Sequence, residues 1–285
     1  MHTEHQHTRT PEAASGPVED GSWTAPSTRK GFLRNAAVAG AGAGGLAAFS
    51  PALALAKRSS KHGLTKTDLA ILGAAQIAEA LAVTTYSNII NTAPFFQNLA
   101  ADDQGYLKAA VQEEMSHYLL EESLTHKPAA FTTFYYPAKM FSDAQTTLDI
   151  LVTLEDAFIA AYLVGVRDFS TSALRVTAAR IMGIESDHRT LARVVGPGVS
   201  SKDGGPIEQI TGIQKQAESV DPPNNNGYER TLKLANIGQA VDALKPFAVK
   251  ASAEAAGFDA TKPYQFVPFK PTLANPLGEF HSLKG

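Results

Sequence analysis

Gln112-Glu113-Glu114-Met115-Ser116-His117-Tyr118 is the stretch whose reading decides the fold. It holds a Glu-x-x-His spacing, from Glu114 to His117. On an α-helix, residues three apart share a face, so the carboxylate and the imidazole converge on one point. The same spacing returns from Glu185 to His188, within Gly183-Ile184-Glu185-Ser186-Asp187-His188, and Glu79 and Glu155 each stand alone inside a long apolar pattern. One Glu from each of two helices, with a Glu-x-x-His from each of two others, is a ligand set that can hold two metal ions at the centre of a four-helix bundle.

The spacing by itself carries little weight. A third match, Glu4 to His7, lies in a polar tail and means nothing without a helix around it. The order carries more: Glu79, then Glu114 with His117, then Glu155, then Glu185 with His188, with separations of 35 and 30 residues between the lone Glu and its motif. That echo suggests two helical hairpins related by pseudo-symmetry.

Helical periodicity places these residues. A first helix is expected over about 66–91, capped by Thr65 or Thr67 and ended by Pro94. On its wheel Glu79 shares a face with Leu72, Ala75, Gln76, Ala82, Val83, Tyr86 and Ile90, so it faces a core. A second helix is expected from caps at Asp102 or Asp103 to about His126. Glu114 shares its face with Leu107, Ala110, Val111 and Tyr118, whereas Glu113 points about 100° away and reads as outward. Glu121 reads as either a group behind the site or a solvated helix end.

Residues 126–141, with Pro128, Pro137 and many aromatics, are too irregular for a helix but long enough to traverse a bundle. A third helix is expected to open on the capping box Ser142-Asp143-Ala144-Gln145 and run to about Asp168. Around Glu155 its face is wholly apolar or aromatic, from Leu148 to Val166. A fourth is expected from Ser170–Ser172 to just before Gly196, with Leu174, Ala178, Ile181, Met182 and Ala192 beside Glu185. Beyond it, 196–228 is loop-rich, 229–243 suggests one short helix, and the remainder is Pro-interrupted chain expected to wrap the bundle. The fold class is therefore all-α: four helices, a long crossover between the second and third, and an irregular C-terminal extension.

Composition narrows the function. The hydrophobic fraction of 44% is ordinary for a globular protein, and a net charge of −3 with mixed signs gives no nucleic-acid surface. The absence of cysteine excludes thiolate metal sites, disulfides and cysteine nucleophiles. Four inward carboxylates would repel one another, and no set of inward Arg or Lys is evident to compensate them. Two divalent cations balance four Glu, with two neutral His completing the ligands, and such oxygen and imidazole donors suit Fe and Mn, and Zn less well.

Residues 1–56 read as an address. A polar tail leads to Ser27-Thr28-Arg29-Lys30-Gly31-Phe32-Leu33-Arg34, then a small, apolar run from Ala36 to Ala56 that ends in Ala54-Leu55-Ala56 before Lys57. This is a signal-peptide pattern, similar to a twin-arginine signal with Lys30 in place of the second Arg. Export to the periplasm or beyond, with no stable membrane span after cleavage, is the expectation. The domain reading is 1–56 as signal and disordered tail, 57–198 as bundle, and 199–285 as extension.

Taken together, Glu79-Ala80-Leu81-Ala82, Glu114-Met115-Ser116-His117, Leu154-Glu155-Asp156-Ala157 and Glu185-Ser186-Asp187-His188 resemble the ferritin-like domain superfamily. The resemblance, over roughly 65–195, is to the exported branch that includes desiccation-related proteins, which Asn224-Asn225-Asn226-Gly227-Tyr228 also resembles. It implies Glu79 and His117 on one metal, Glu155 and His188 on the other, and Glu114 and Glu185 bridging. It also makes Tyr86, Tyr118 and Tyr162 candidates for hydrogen-bonding a ligand or passing electrons, against the plainer reading of core packing. The expected activity is dimetal redox chemistry on O₂ or peroxide, as a ferroxidase or peroxide scavenger, in a chain that can self-associate. The alternative is a non-catalytic metal-binding or stress-protection protein whose metals cement the bundle. A metal-free interaction bundle is the third reading.

Overall fold

A computed structural model describes residues 63–195 and 234–273. Residues 1–56, expected to direct export, and the stretch 196–228, expected to be loop-rich, lie outside the described residues. Four long helices dominate: α1 (Lys66–Thr92), α2 (Ala101–Thr125), α3 (Ala144–Asp168) and α4 (Ser172–Val194). A one-turn 3₁₀ helix, Pro94–Asn98, makes the corner between α1 and α2. The tail adds α5 (Ile237–Ala248) and α6 (Lys250–Ala255). A two-residue strand β1 (Thr133–Phe134) pairs antiparallel with β2 (Tyr264–Gln265).

The helix starts follow local chemistry. Thr65 caps α1 in a full capping box, its hydroxyl accepting from the Asp68 amide while Asp68 takes the Thr65 amide. Asp143 caps α3 and accepts from the Thr146 amide at 2.8 Å, so the cap sits one residue beyond the expected Ser142, and Gln145 instead bonds Asp149. Asp102 and Asp103 do not cap α2. They lie in its first turn, where their charge still favours the helix dipole, and Ala100 occupies the cap without a side-chain bond. Thr171 caps α4, as expected from the Ser170–Ser172 start. In the tail, the expected single helix ending before Pro246 is instead α5, which runs through Pro246 and buries Phe247, followed after an extended Val249 by α6.

Chain direction follows from two contacts at one end of the bundle. Gln76, near the start of α1, donates to the carbonyl of Lys127 just past α2, and Asp68 accepts from the Ser170 amide just past α3. Both α2 and α3 therefore finish where α1 begins, and run parallel to each other. The connection from Lys127 to Asp143 has to return the full length of the bundle, a distance of roughly 38 Å for a 25-residue helix. Extended chain of that length spans it. This is the long crossover expected between the second and third helices. α1 lies along α2 and α3 along α4, and the two hairpins meet through α1 with α3 and α2 with α4.

α1 is long and apolar enough to cross a membrane by length and composition, but 83% of its most apolar window is buried inside the bundle, as a core helix requires. The core holds two apolar clusters. One contains Tyr86, Met115, Tyr118 and Phe158; the other contains Leu72, Tyr162, Leu174 and Ile181. The tail belongs to the first, through Leu244, Phe247, Ala248 and Phe266. It clasps the crossover with backbone bonds from Tyr135 to Phe247, from Asp259 to Tyr136 and from Phe266 to Thr132. Aromatic contacts of Tyr136 with Phe141, Phe247 and Tyr264 fill the space beneath.

Asp68 is a buried joint in this frame: it completes the α1 capping box and holds both the amide and the hydroxyl of Ser170. Asp68→Ala leaves those donors without their partner, and is expected to lower stability by about 1–3 kcal/mol. The midpoint of urea unfolding of metal-free protein measures it, and a change within error would show that the joint contributes nothing.

Candidate metal centre

The six residues singled out by spacing come from four different helices and meet at one place. Glu79 is on α1, Glu114 and His117 on α2, Glu155 on α3, and Glu185 and His188 on α4; none is more than 3% exposed. His117 Nδ1 lies 3.5 Å from Glu79 Oε2, 3.5 Å from Glu114 Oε2 and 3.2 Å from Glu185 Oε1. His188 Nδ1 lies 2.9 Å from Glu114 Oε1 and 3.5 Å from Glu185 Oε2. The donors fall into two overlapping sets: Glu79, Glu114, His117 and Glu185; and Glu114, Glu155, Glu185 and His188. Within each set one donor atom per residue lies within 4.8 Å of the others, and Glu114 and Glu185 belong to both.

Eight donor atoms of these six residues are buried without a hydrogen-bond partner: Glu79 Oε2, both oxygens of Glu114 and of Glu185, Glu155 Oε2, and Nδ1 of each histidine. Buried polar atoms are almost always partnered, because an orphaned one keeps its full desolvation cost. Here the orphans converge from four helices, and they are the oxygen and imidazole atoms that divalent cations take as ligands. The residues present thus fit a pair of metal ions.

Electrostatics agree. Burial above all, and then the charges of Glu114 and Glu185, push the carboxyls of Glu79 and Glu155 well above the usual range. Burial also acts to raise Glu114, but the charge of His188 and the close approach of both imidazoles outweigh it and hold that carboxyl low. Burial works against charge on the histidines too, yet Glu79 beside His117 and Glu114 beside His188 keep both imidazoles protonated well above the ordinary 6.5. In the absence of cations, protons balance the charge of this pocket.

The two hairpins support each other's outer carboxylates reciprocally. Tyr86 of α1 donates to Glu155 Oε1 of α3 at 2.7 Å, and Tyr162 of α3 donates to Glu79 Oε1 of α1. Each tyrosine sits seven residues after the lone Glu of its own helix and reaches across to the other. Tyr118 does not join them. Its hydroxyl accepts from the Ala129 amide and bonds Glu122, and its ring packs on Phe266, so it anchors the start of the crossover.

Two residues gain roles that helical phase alone did not assign. Glu121 is the group behind the site rather than a solvated end: it is 2% exposed, and its Oε1 lies 2.8 Å from the Tyr162 hydroxyl. Tyr162 therefore faces two carboxyl groups with one hydrogen. The row is complete when Glu121 is the neutral acid that donates to Tyr162 while Tyr162 donates to Glu79. Glu113, read as outward, is only half solvated, and its Oε2 lies 2.9 Å from Nε2 of His188. A residue 100° around the helix from Glu114 misses the pocket centre but reaches the far edge of an imbalanced neighbour, an imidazole that arrives from α4. No one-helix wheel shows that. The expectation that no set of inward Arg or Lys is present is also amended: Arg189 and Arg193 of α4 are buried, and Arg189 pairs with Asp156 at 2.9 Å.

Compared with known proteins, residues 64–196 match the family of the ferritin-like domain. No curated protein and no solved structure matches the chain.

Proposed function

From a chain whose residues 64–196 form a ferritin-like domain, we propose an exported dimetal-carboxylate protein that uses two Fe or Mn ions to react with O₂ or peroxide. The observation that carries this reading is the set of eight orphaned donors, supplied by two overlapping groups that share Glu114 and Glu185. Glu79 and His117 would hold one ion, Glu155 and His188 the other, with Glu114 and Glu185 between them. Bound there, Fe or Mn supplies one-electron redox chemistry that no side chain of this chain offers.

The protein's own part is geometry, exclusion of water and proton supply. Tyr86 and Tyr162 orient the outer carboxylates by holding one oxygen of each. Burial of every donor keeps bulk water out and strengthens electrostatic interactions inside. The Glu121–Tyr162–Glu79 row holds a proton at the edge of the pocket, where reduction of O₂ or peroxide consumes protons. The signal-like segment, with Arg29-Lys30 and the run that ends in Ala54-Leu55-Ala56, supports export.

Fe(II)- and Mn(II)-loaded protein, mixed with O₂ and with peroxide beside metal in buffer, tests the reading. Metal oxidation or peroxide loss well above the buffer rate is the expected result. Stoichiometric metal that stays unreactive would overturn the redox role and leave the structural or stress-protection role in its place.

A further inference from the structure

We propose that the two halves of the centre bind metal with unequal strength, the Glu155–His188 half filling first, and that Glu113 is the positioning residue that sets this order. The inference rests on the metal-centre reading above and concerns what distinguishes one half from the other.

Superposing the echo gives a matched pair at each donor position and at the two supporting tyrosines. Glu79 corresponds to Glu155, Tyr86 to Tyr162, Glu114 to Glu185 and His117 to His188. Each lone Glu receives one tyrosine hydroxyl from the opposite hairpin. The match fails at the residue before each motif, where α2 has Glu113 and α4 has Ile184.

That difference falls on the imidazoles. Glu113 accepts from Nε2 of His188 at 2.9 Å, which fixes a ring hydrogen on Nε2 and leaves Nδ1, directed at Glu114 and Glu185, as the nitrogen that gives up its proton to a metal ion. A carboxylate behind a ligating imidazole fixes its tautomer and orientation and makes it a stronger donor. His117 also presents Nδ1 to the pocket, but among the described residues no carboxylate reaches its Nε2, and Ile184 at the matching position cannot supply one. No carboxylate of that kind orients its ring or strengthens Nδ1 as a donor once a metal ion displaces the proton there.

Other departures from symmetry are the Asp156–Arg189 pair, at whose matching positions Ala80 and Tyr118 stand, and Glu121, at whose matching position Ala192 stands. Glu121 acts on Tyr162 and not on an imidazole, and as the neutral end of its hydrogen-bonded row it adds no charge to the Glu79–His117 half. It does not offset Glu113.

Titration of the metal-free, full-length chain with Co(II), followed by visible absorption and by calorimetry, tests the order. Wild type is expected to show two steps. Glu113→Ala is expected to weaken the tighter step about 10- to 100-fold and leave the weaker one in place, so that the steps approach each other. Glu113→Gln, which keeps an acceptor but not the charge, is expected to fall between. Glu155→Gln identifies the half, because the tighter step should be the one it removes. Two equal sites in wild type, or equal weakening of both steps by Glu113→Ala, would overturn the ordering while leaving the centre intact. No binding to wild type would overturn the metal reading itself. Circular dichroism of each variant confirms that a lost step is not a lost fold.

Discussion

Glu185→Gln protein is expected to purify with no stoichiometric metal, whereas Glu155→Gln is expected to keep about one ion where wild type keeps about two. The contrast comes from sharing. Glu185 belongs to both donor sets and Glu155 to only one. Glutamine preserves volume and an acceptor oxygen, so Tyr86 keeps a partner in Glu155→Gln. What changes is charge. Without metal, either variant is expected to melt at or above the wild-type temperature, because it removes a buried ionisable group with unpartnered oxygen, both atoms of Glu185 and Oε2 of Glu155. With metal the order reverses. An ion present at a thousand times its dissociation constant stabilises the fold by about 4 kcal/mol, or roughly 8–16 °C in a domain of this size. At that saturation wild type, with two ions, should gain about twice that shift, Glu155→Gln, with one, about half as much as wild type, and Glu185→Gln almost none. Elemental analysis and paired melting curves, with chelator and with Mn(II), measure both quantities. Equal metal loss in the two variants would show that Glu185 is not shared.

Stability should respond to pH in opposite senses with and without metal. Glu79 and Glu155 are held above the ordinary 4.5 and both histidines above the ordinary 6.5, so in this range the metal-free folded state binds more protons than the unfolded chain. The stability these groups contribute is fully present below their unfolded values and is lost as pH rises through the folded ones. Glu114, held low, acts in the other direction, but only below about pH 4.5. Metal-free protein should therefore lose melting temperature between about pH 5 and pH 8. Metal ions displace those protons, so their affinity rises over the same interval, by about 1.4 kcal/mol per pH unit for each proton released. The gap between the two melting curves should widen as pH increases. A constant or shrinking gap would mean that the ions do not replace protons in this pocket.

Much of this centre could be read in the chain because its ligands obey helical arithmetic. Glu114 and His117 are three residues apart on one helix, and so are Glu185 and His188, and the apolar faces around Glu79 and Glu155 fix their direction. The crossover was legible from its length and its prolines. What stayed hidden depends on the meeting of separate helices. Glu113 lies off the inward face of α2 and acquires a role only when His188 arrives from α4. Glu121 becomes part of the site through Tyr162 of α3, and Tyr118 leaves it because Ala129 and Phe266 claim the side chain. The strand pair was equally invisible: two residues have no measurable periodicity, and Thr133 finds Gln265 across more than half of the described fold. Caps slipped by a residue because Ser142 and Asp143 are both good candidates and only the backbone angle selects between them.

The clasp on the crossover has a consequence for the order in which this protein becomes native. Thr133 pairs with Gln265, and Phe247 and Phe266 complete an apolar cluster most of whose other members lie between Ile77 and Phe158. Contacts between segments this distant in sequence are the slow ones to form, because the loop between them has to close before the contact rewards it. During synthesis the four long helices emerge well before the aromatic rings that cover the crossover. A nascent chain thus exposes Tyr136 and its neighbours until the segment from Phe247 to Phe266 has been made, the interval in which an uncovered apolar surface is most open to aggregation or to a chaperone.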